Sequence, residues 1–236
     1  MYLTLALGLC GVLTIMLQPL RFILKNKRAF AGLGNKAFAS MFFCLAGVAA
    51  AGARESIHWQ AAVILLSFCL AAIGDVLLAM GPVLVDPKAD RNFVFAAGGM
   101  SFAAAHVLSA AALLSLVRLD WRLLPLAFAL PVLYAVLWAA KKFRFGRKGG
   151  PILFYALVLG AILWAAAMAL AVNRALGLLA LAAALLYMFS DTALFFANFG
   201  SAAAKEKLRS GKSFLWLVML PYYSAQALLA CAVIFM

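Results

Sequence analysis

Charged residues are scarce in this sequence, and long polar stretches are missing. Charged side chains make up 11% of the 236 residues, whereas hydrophobic residues make up 68%. A typical soluble domain carries about a quarter charged residues. The composition therefore excludes an ordinary soluble protein and predicts an all-α membrane protein. Because no stretch is long and polar enough for a separate soluble unit, we expect residues 1–236 to form a single transmembrane domain.

Several motifs that would define other classes of protein are also missing. The four cysteines lie in apolar segments without a C-x-x-C spacing, which indicates small buried side chains rather than a metal site or disulfides. No Gly-x-Ser-x-Gly nucleophile motif is present. The N-terminus lacks the basic region and cleavage site of a signal peptide, so we interpret its apolar run as the first membrane helix.

Eight apolar runs predict eight transmembrane helices, since about 20 residues cross the hydrocarbon core of a bilayer. All eight are rich in Leu, Ala and Phe and are separated by short loops. In chain order they are Leu3–Leu17, Phe38–Gly52, Gln60–Met80, Phe93–Val117, Leu123–Ala140, Ile152–Val172, Leu176–Phe199 and Phe214–Phe235.

Basic residues are distributed unevenly among the loops between these runs. Sixteen Lys and Arg residues fall in the loops on one side, and four fall on the other. The positive-inside rule places the sixteen in the cytoplasm and predicts that both termini are outside. The net charge of +13 is thereby explained by topology, and we expect no nucleic-acid partner. In a bacterium, the protein would lie in the cytoplasmic (inner) membrane.

Two carboxylates interrupt the apolar helices. Asp75 lies in the third run and Asp191 in the seventh. A carboxylate at the centre of a membrane helix costs at least about 2.5 kcal/mol on insertion scales. No Lys or Arg lies inside the predicted spans to pair with either acid, which favours catalytic roles over a purely structural pairing. We therefore predict that Asp75 and Asp191 are catalytic and meet at one shared cavity.

The two acids occupy similar positions in helices that are four spans apart. Gly74-Asp75-Val-Leu-Leu78 and Ser190-Asp191-Thr-Ala-Leu194 share an acid followed by Leu three residues later. This similarity raises the hypothesis of a 4 + 4 parallel repeat. Chance similarity between two short motifs is the alternative.

Other polar residues of the predicted spans lie near the depth of the two acids, or stack on the face of Asp191. Lipid-facing positions would not tolerate them, so we expect them to face a common interior and to position the substrate. The alternative for each is a hydrogen-bonded core residue or an interfacial anchor. They are His106, Tyr134, Tyr155, Tyr187, Asn198, Tyr222 and Gln226.

Two buried carboxyl groups suit acid-catalysed bond cleavage. Burial and a neighbouring carboxylate both favour the neutral form of a carboxyl group, so one acid can donate a proton while the other stabilises a cation or orients water. This pattern is typical of reactions that pass through an oxocarbenium-like state. One histidine and two aspartates form a thin ligand set for a metal, and we expect neither a metal nor a cofactor.

At these residues the chain resembles the YhhN family of membrane proteins, which includes the lysoplasmalogenases. Lys36 resembles a Lys-Pro pair of that family, although Ala37 stands in place of the proline, and Ser109 replaces an aromatic residue that often follows the histidine. The residues that carry the resemblance are Gly74, Asp75, Leu78, His106, Ser190, Asp191, Leu194 and Tyr222–Gln226.

The resemblance implies hydrolysis of the vinyl-ether bond of a lysoplasmalogen into a fatty aldehyde and a glycerophospho-alcohol. The partner would be a lysophospholipid in the bilayer whose head group meets Lys36, and no obligate protein partner is expected. A proton-coupled transporter or a lipid-binding membrane protein that uses the same acids is the main alternative. A structural or assembly protein is a third interpretation.

Overall fold

The computed structural model describes residues 2–16, 28–54, 56, 58–80, 89–209 and 211–236. In this part of the chain the regular structure is helical, without strands. The main helices are α1 (Tyr2–Met16), α2 (Arg28–Gly52), α3 (Trp59–Met80), α4 (Ala89–Leu114), α5 (Pro125–Ala139), α6 (Gly149–Val172), α7 (Arg174–Phe199) and α8 (Ala202–Arg209).

The last apolar stretch is a continuous helix with an irregular start. It consists of Gly211–Phe214, a π-helical turn at Leu215–Met219, and an α-helical part at Leu220–Ala232, which together are named α9. Single π-helical turns inside α-helices occur frequently at functional sites. Pro221 lies in the first turn after the π-helical segment, where its missing N–H is tolerated.

Each of the eight apolar runs overlaps a helix of the described residues, and α2 shows the largest difference from its predicted bounds. The helix begins at Arg28 rather than Phe38, because residues 29–35 are mostly small or apolar and contain no proline. Lys36 therefore lies inside α2. The expectation that no basic residue lies within a span is wrong, since hydropathy alone excluded the polar pair Asn35 and Lys36 from this helix.

Seven helices of the described residues are long and apolar enough to cross a membrane. The helix α1 is apolar but has 15 residues, fewer than a full span requires. Leu17, the last residue of the first predicted span, lies outside the described residues, as do most of the basic residues that follow it. Eight spans, the orientation of the termini and the 4 + 4 repeat stay predictions.

Six helices pack in a ring. The order of neighbours is α2, α3, α4, α6, α7 and α9, and α9 packs in turn on α2. Outside this ring, α1 lies against α2 and α9, and α5 lies against α6. Apolar side chains also cover the outer faces: Phe38, Met41 and Leu45 of α2 are exposed and form one stripe. Asp75, His106 and Asp191 belong to helices of the ring and are buried.

Close contacts between helices depend on small residues, as is common in membrane bundles. Gly160 of α6 lies against the backbone of Ala127 in α5, and a Cβ atom at position 160 would overlap with the carbonyl oxygen of Ala127. Because that obstacle is backbone rather than a flexible side chain, the two helices would have to separate. Gly160 therefore sets the distance between α5 and α6.

We expect Gly160→Ala to lower the free energy of unfolding by about 1–3 kcal/mol, the usual cost of overpacking. The measurement is the midpoint of thermal unfolding in detergent micelles. Gly150→Ala is the matched control, since a Cβ atom at this other glycine of α6 meets no atom within 4 Å. Equal midpoints for the two variants would contradict this account of the α5–α6 contact.

Candidate functional site

Asp75 of α3 is buried inside the ring, and three hydroxyl groups donate to its carboxyl group. Its Oδ2 atom accepts hydrogen bonds from Ser40 at 2.7 Å, Tyr222 at 3.0 Å and Tyr223 at 3.2 Å. The donors come from α2 and α9, so one oxygen atom connects three helices. An oxygen with three donors is a suitable place for negative charge in an apolar interior.

The residues around Asp75 are held by aromatic packing against Gly74. A Cβ atom at Gly74 would lie 2.9 Å from the ring of Phe102, so glycine allows this ring of α4 to approach α3. The Phe102 ring then packs edge-on against Tyr222, with ring centroids 5.6 Å apart. Gly74 thereby contributes to the position of a hydroxyl group that binds its neighbour Asp75.

A hydrogen bond from α7 also fixes the π-helical turn of α9. Ser190 of α7 donates a hydrogen bond of 2.8 Å to the carbonyl oxygen of Val218 within the turn. This bond joins α7, which carries Asp191, to the segment that precedes Tyr222 and Tyr223. The rings of these two tyrosines pack edge-on with centroids 4.9 Å apart.

Asp191 of α7 has different surroundings. Its Oδ2 atom accepts a hydrogen bond of 2.7 Å from Tyr155 of α6. The Nε2 atom of His106 lies 3.9 Å from the same oxygen, which is too far for a hydrogen bond but close enough for an ion pair if the imidazole is protonated. The His106 ring packs edge-on against Tyr155 and Tyr187, with centroid distances of 6.0 and 4.9 Å.

Both carboxyl groups line one cavity of about 200 Å³, here called the inner cavity. Lys36, Asn198 and Tyr222 also line it. Lys36 interacts electrostatically with Asp75. The prediction that the two acids meet at a shared cavity is confirmed, while their catalytic roles stay predictions.

A larger apolar cavity of about 810 Å³ lies beside it, between α4 and α6, and is here called the side cavity. Its walls include Gly99, Met100 and Val107 of α4 and Phe154 of α6. Asp191 lines the side cavity as well as the inner cavity. Asp191 therefore lies where the two cavities adjoin.

Gln226 and Tyr187, two more of the predicted positioning residues, contact side chains that surround the acids. Gln226 donates a hydrogen bond of 3.0 Å to the hydroxyl group of Tyr222 and thereby orients a donor to Asp75. The Tyr187 ring packs against His106 on one side and against Tyr222, at 6.2 Å, on the other. Tyr187 thus connects the surroundings of the two acids.

The other two predicted positioning residues, Asn198 and Tyr134, have different surroundings. Asn198 lines the inner cavity, and its amide donates to the carbonyl oxygen of Leu194 one turn earlier. Tyr134 does not line the inner cavity: its hydroxyl group lies 2.9 Å from that of Thr192, and its ring packs against Phe195. His106, Tyr187 and Gln226 do not line the inner cavity either, and Tyr155 lines the side cavity. The role of Tyr134 in positioning substrate, like theirs, stays a prediction.

Ser40 and Tyr223 are donors to Asp75 that the sequence reasoning missed. Ser40 lies one turn after Lys36, so a helix extended back to Arg28 would have placed both on one face. Tyr223 follows Tyr222 directly, and adjacent helical residues do not normally face the same partner. Among the described residues, no three His, Cys, Asp or Glu side chains cluster so that they could hold a metal ion.

The comparisons with known proteins give one match. The model of the YhhN family matches residues 33–233, which is most of the chain. The matched range contains every residue of the inner cavity named above. No curated protein and no solved structure matches the chain.

We expect Ser40→Ala to lower the free energy of unfolding by about 1–3 kcal/mol, because buried Asp75 loses its shortest hydrogen bond. Thermal unfolding in detergent micelles measures the change. Ser115→Ala is the control, since the Ser115 hydroxyl group bonds only locally, to the carbonyl oxygen of Ala112. If both variants unfold at the wild-type temperature, the donors around Asp75 do not stabilise the fold.

Proposed function

Because the chain belongs to the YhhN family, we propose that it is a multi-pass membrane hydrolase that cleaves the vinyl-ether bond of lysoplasmalogens. In a bacterium it would lie in the cytoplasmic membrane. The products are a fatty aldehyde and a glycerophospho-alcohol. The observation that carries the proposal is the presence of two buried carboxyl groups, Asp75 and Asp191, at one cavity within an apolar helix bundle.

Cleavage of a vinyl ether needs one acid and one acceptor for a proton. An acid first protonates the alkene carbon remote from the ether oxygen, which leaves an oxocarbenium ion at the carbon bonded to oxygen. Water then adds to that carbon and gives its proton to a carboxylate. The resulting hemiacetal loses the glycerol oxygen as an alcohol and becomes an aldehyde. One water molecule is consumed, and two carboxyl groups are enough to move each proton.

The inner cavity supplies surroundings that suit each step. Its volume of about 200 Å³ leaves room for the attacking water beside a small polar group. An oxocarbenium ion is stabilised by a fixed carboxylate more strongly inside an apolar interior than in water. Tyr155 and Tyr222 hold the two carboxyl groups in fixed orientations, as pre-organised catalysis requires.

Lys36 is the candidate group for the substrate's phosphate. It lines the inner cavity together with both acids and lies one turn before Ser40 in α2. A lysine ammonium group binds phosphate as a point charge. The polar end of the lipid would therefore lie towards α2 when the vinyl ether is beside the carboxyl groups.

We expect Asp75→Asn and Asp191→Asn each to lower the rate of aldehyde release from a lysoplasmalogen by about 10²–10⁴-fold, the usual contribution of acid–base catalysis. Asp120→Asn is the control, since this exposed aspartate caps the short helix at Trp121–Leu123, away from both cavities. Thermal unfolding and gel filtration would verify the folding of each variant.

Near wild-type release by either folded variant removes that aspartate from the mechanism. Wild-type protein that forms no aldehyde but moves lipid into vesicles in response to a proton gradient would favour the transporter instead.

We expect Lys36→Met to raise KM for a lysoplasmalogen more than it lowers kcat, because a phosphate contact is the same in the ground state and the transition state. An alkenyl glycerol without phosphate should show no such difference between Lys36→Met and wild type. Lys142→Met, an exposed lysine after α5, is the control. An equal rise in KM for both substrates would contradict a phosphate contact at Lys36.

A further inference from the structure

The side cavity opens towards the outer surface of the helix ring. Met100 and Phe154, which line it, are 73% and 60% exposed. A molecule dissolved in the surrounding apolar phase can therefore reach this cavity laterally, between α4 and α6. Along α4 the cavity extends from Phe95 to Leu108, which is about 20 Å at 1.5 Å per residue.

The two cavities share part of their walls. Leu78, Phe95, Phe102, Asp191 and Leu194 line both, and Asp191 carries the acidic group of this shared wall. The two volumes suit different ligands. Ligand pockets usually measure about 300–1,000 Å³, so the side cavity can hold a long apolar chain, whereas the inner cavity is suited to a small polar group.

We propose that the side cavity binds the single hydrocarbon chain of the lysolipid while the inner cavity holds its polar end, so that Asp191 faces the chain side of the ether bond. This inference rests on the proposed hydrolase function and adds the direction in which the substrate lies. The reverse direction is disfavoured because the inner cavity, at about 200 Å³, is too small for a long chain.

The direction of the substrate assigns a role to each acid. In a vinyl ether, the carbon that accepts the proton lies on the chain side of the oxygen, and the glycerol lies on the other side. Asp191 is therefore the proton donor to carbon. Asp75, with three hydroxyl donors in the inner cavity, faces the oxygen side and accepts the proton of the attacking water.

Both acids return to their starting states when the hemiacetal breaks down. Asp75, now protonated, gives its proton to the leaving glycerol oxygen as the carbon–oxygen bond breaks. Asp191, now ionised, takes the hydroxyl proton of the hemiacetal as the carbonyl group forms. Protons and electrons balance, with one water consumed and no other reactant needed.

Gly99 offers a direct test of chain binding. It lines the side cavity, and a Cβ atom built on it meets no atom within 4 Å, so a side chain can start there and Gly99→Phe takes up part of the cavity volume. The matched control is Gly34→Phe in α2, which also has open space around it. Gly34 lies four and seven residues before Phe38 and Met41, on the exposed stripe outside both cavities.

We expect Gly99→Phe to raise KM for a long-chain lysoplasmalogen by about tenfold or more, because the new ring occupies space that the chain needs. A four-carbon vinyl-ether analogue should be hydrolysed at the wild-type rate, and Gly34→Phe should change neither substrate. An unchanged chain-length preference in folded Gly99→Phe overturns the proposal while the hydrolase function stands. Should Gly99→Phe fail to fold, Gly99→Leu is measured in its place with the same criterion.

A binding measurement separates failure of this proposal from failure of the hydrolase function. The probe is an alkyl-ether lysophospholipid of the same chain length, which lacks the double bond and is not cleaved. If wild-type protein releases no aldehyde but binds the probe, and Gly99→Phe weakens binding, the chain site stands without the hydrolase. If wild-type protein neither binds the probe nor cleaves the vinyl ether, both are overturned.

A second substrate tests the roles of the acids. A methyl group on the alkene carbon bonded to oxygen stabilises the oxocarbenium ion and makes protonation easier. This substrate, which releases a ketone, should recover more of its rate in Asp191→Asn than in Asp75→Asn. Equal recovery, or greater recovery in Asp75→Asn, overturns the assignment of Asp191 as the donor.

Discussion

A carboxyl group buried in an apolar helix bundle must find its hydrogen-bond donors within the protein, and the arrangement around Asp75 satisfies this constraint. Ser40 comes from α2, and Tyr222 and Tyr223 come from α9, so helices at opposite ends of the chain converge on one oxygen of α3. Each hydrogen bond to a charged group contributes about 1.5–3 kcal/mol, which offsets part of the cost of burial. The packing of Phe102 on Gly74 and the bond from Gln226 to Tyr222 follow from the same requirement, because both hold a donor in place.

The two acids share a cavity but not an environment. Asp75 has three donors and the nearby charge of Lys36, whereas Asp191 has one donor and an imidazole at 3.9 Å. Unequal surroundings allow two chemically identical groups to have different roles, as in enzymes in which one carboxyl group acts as an acid and the other stays ionised. Tyr187, between His106 and Tyr222, makes the two environments parts of one packed unit. A change near one acid therefore affects the position of the other.

The sequence predicted the helices because long apolar runs that must satisfy their own backbone hydrogen bonds have few alternatives. It also predicted the two acids, since their burial is costly without a purpose. Depth along a helix does not give the direction of a side chain, so depth alone could not predict that the hydroxyl group of Tyr134 lies beside Thr192. Hydropathy placed Lys36 outside the second helix, because Asn35 and Lys36 lower the apolar average of this segment, and so the face that Lys36 shares with Ser40 was not recognised. Tyr223 could not be predicted from helical spacing, because adjacent residues of a helix do not normally face the same partner.

The side cavity raises a question of energetics that differs from that of soluble enzymes. A hydrocarbon chain that moves from the bilayer into an apolar cavity leaves one apolar environment for another, so its transfer supplies little affinity. The side cavity can still contribute to the reaction rate in the proposed hydrolase, because a chain held between α4 and α6 would fix the distance between the ether bond and Asp191. In the proposed hydrolase, affinity would then come from the polar end of the lipid, for which Lys36 is the candidate partner. Under this proposal the apolar walls of the side cavity position the substrate, and Lys36 of the inner cavity supplies its affinity.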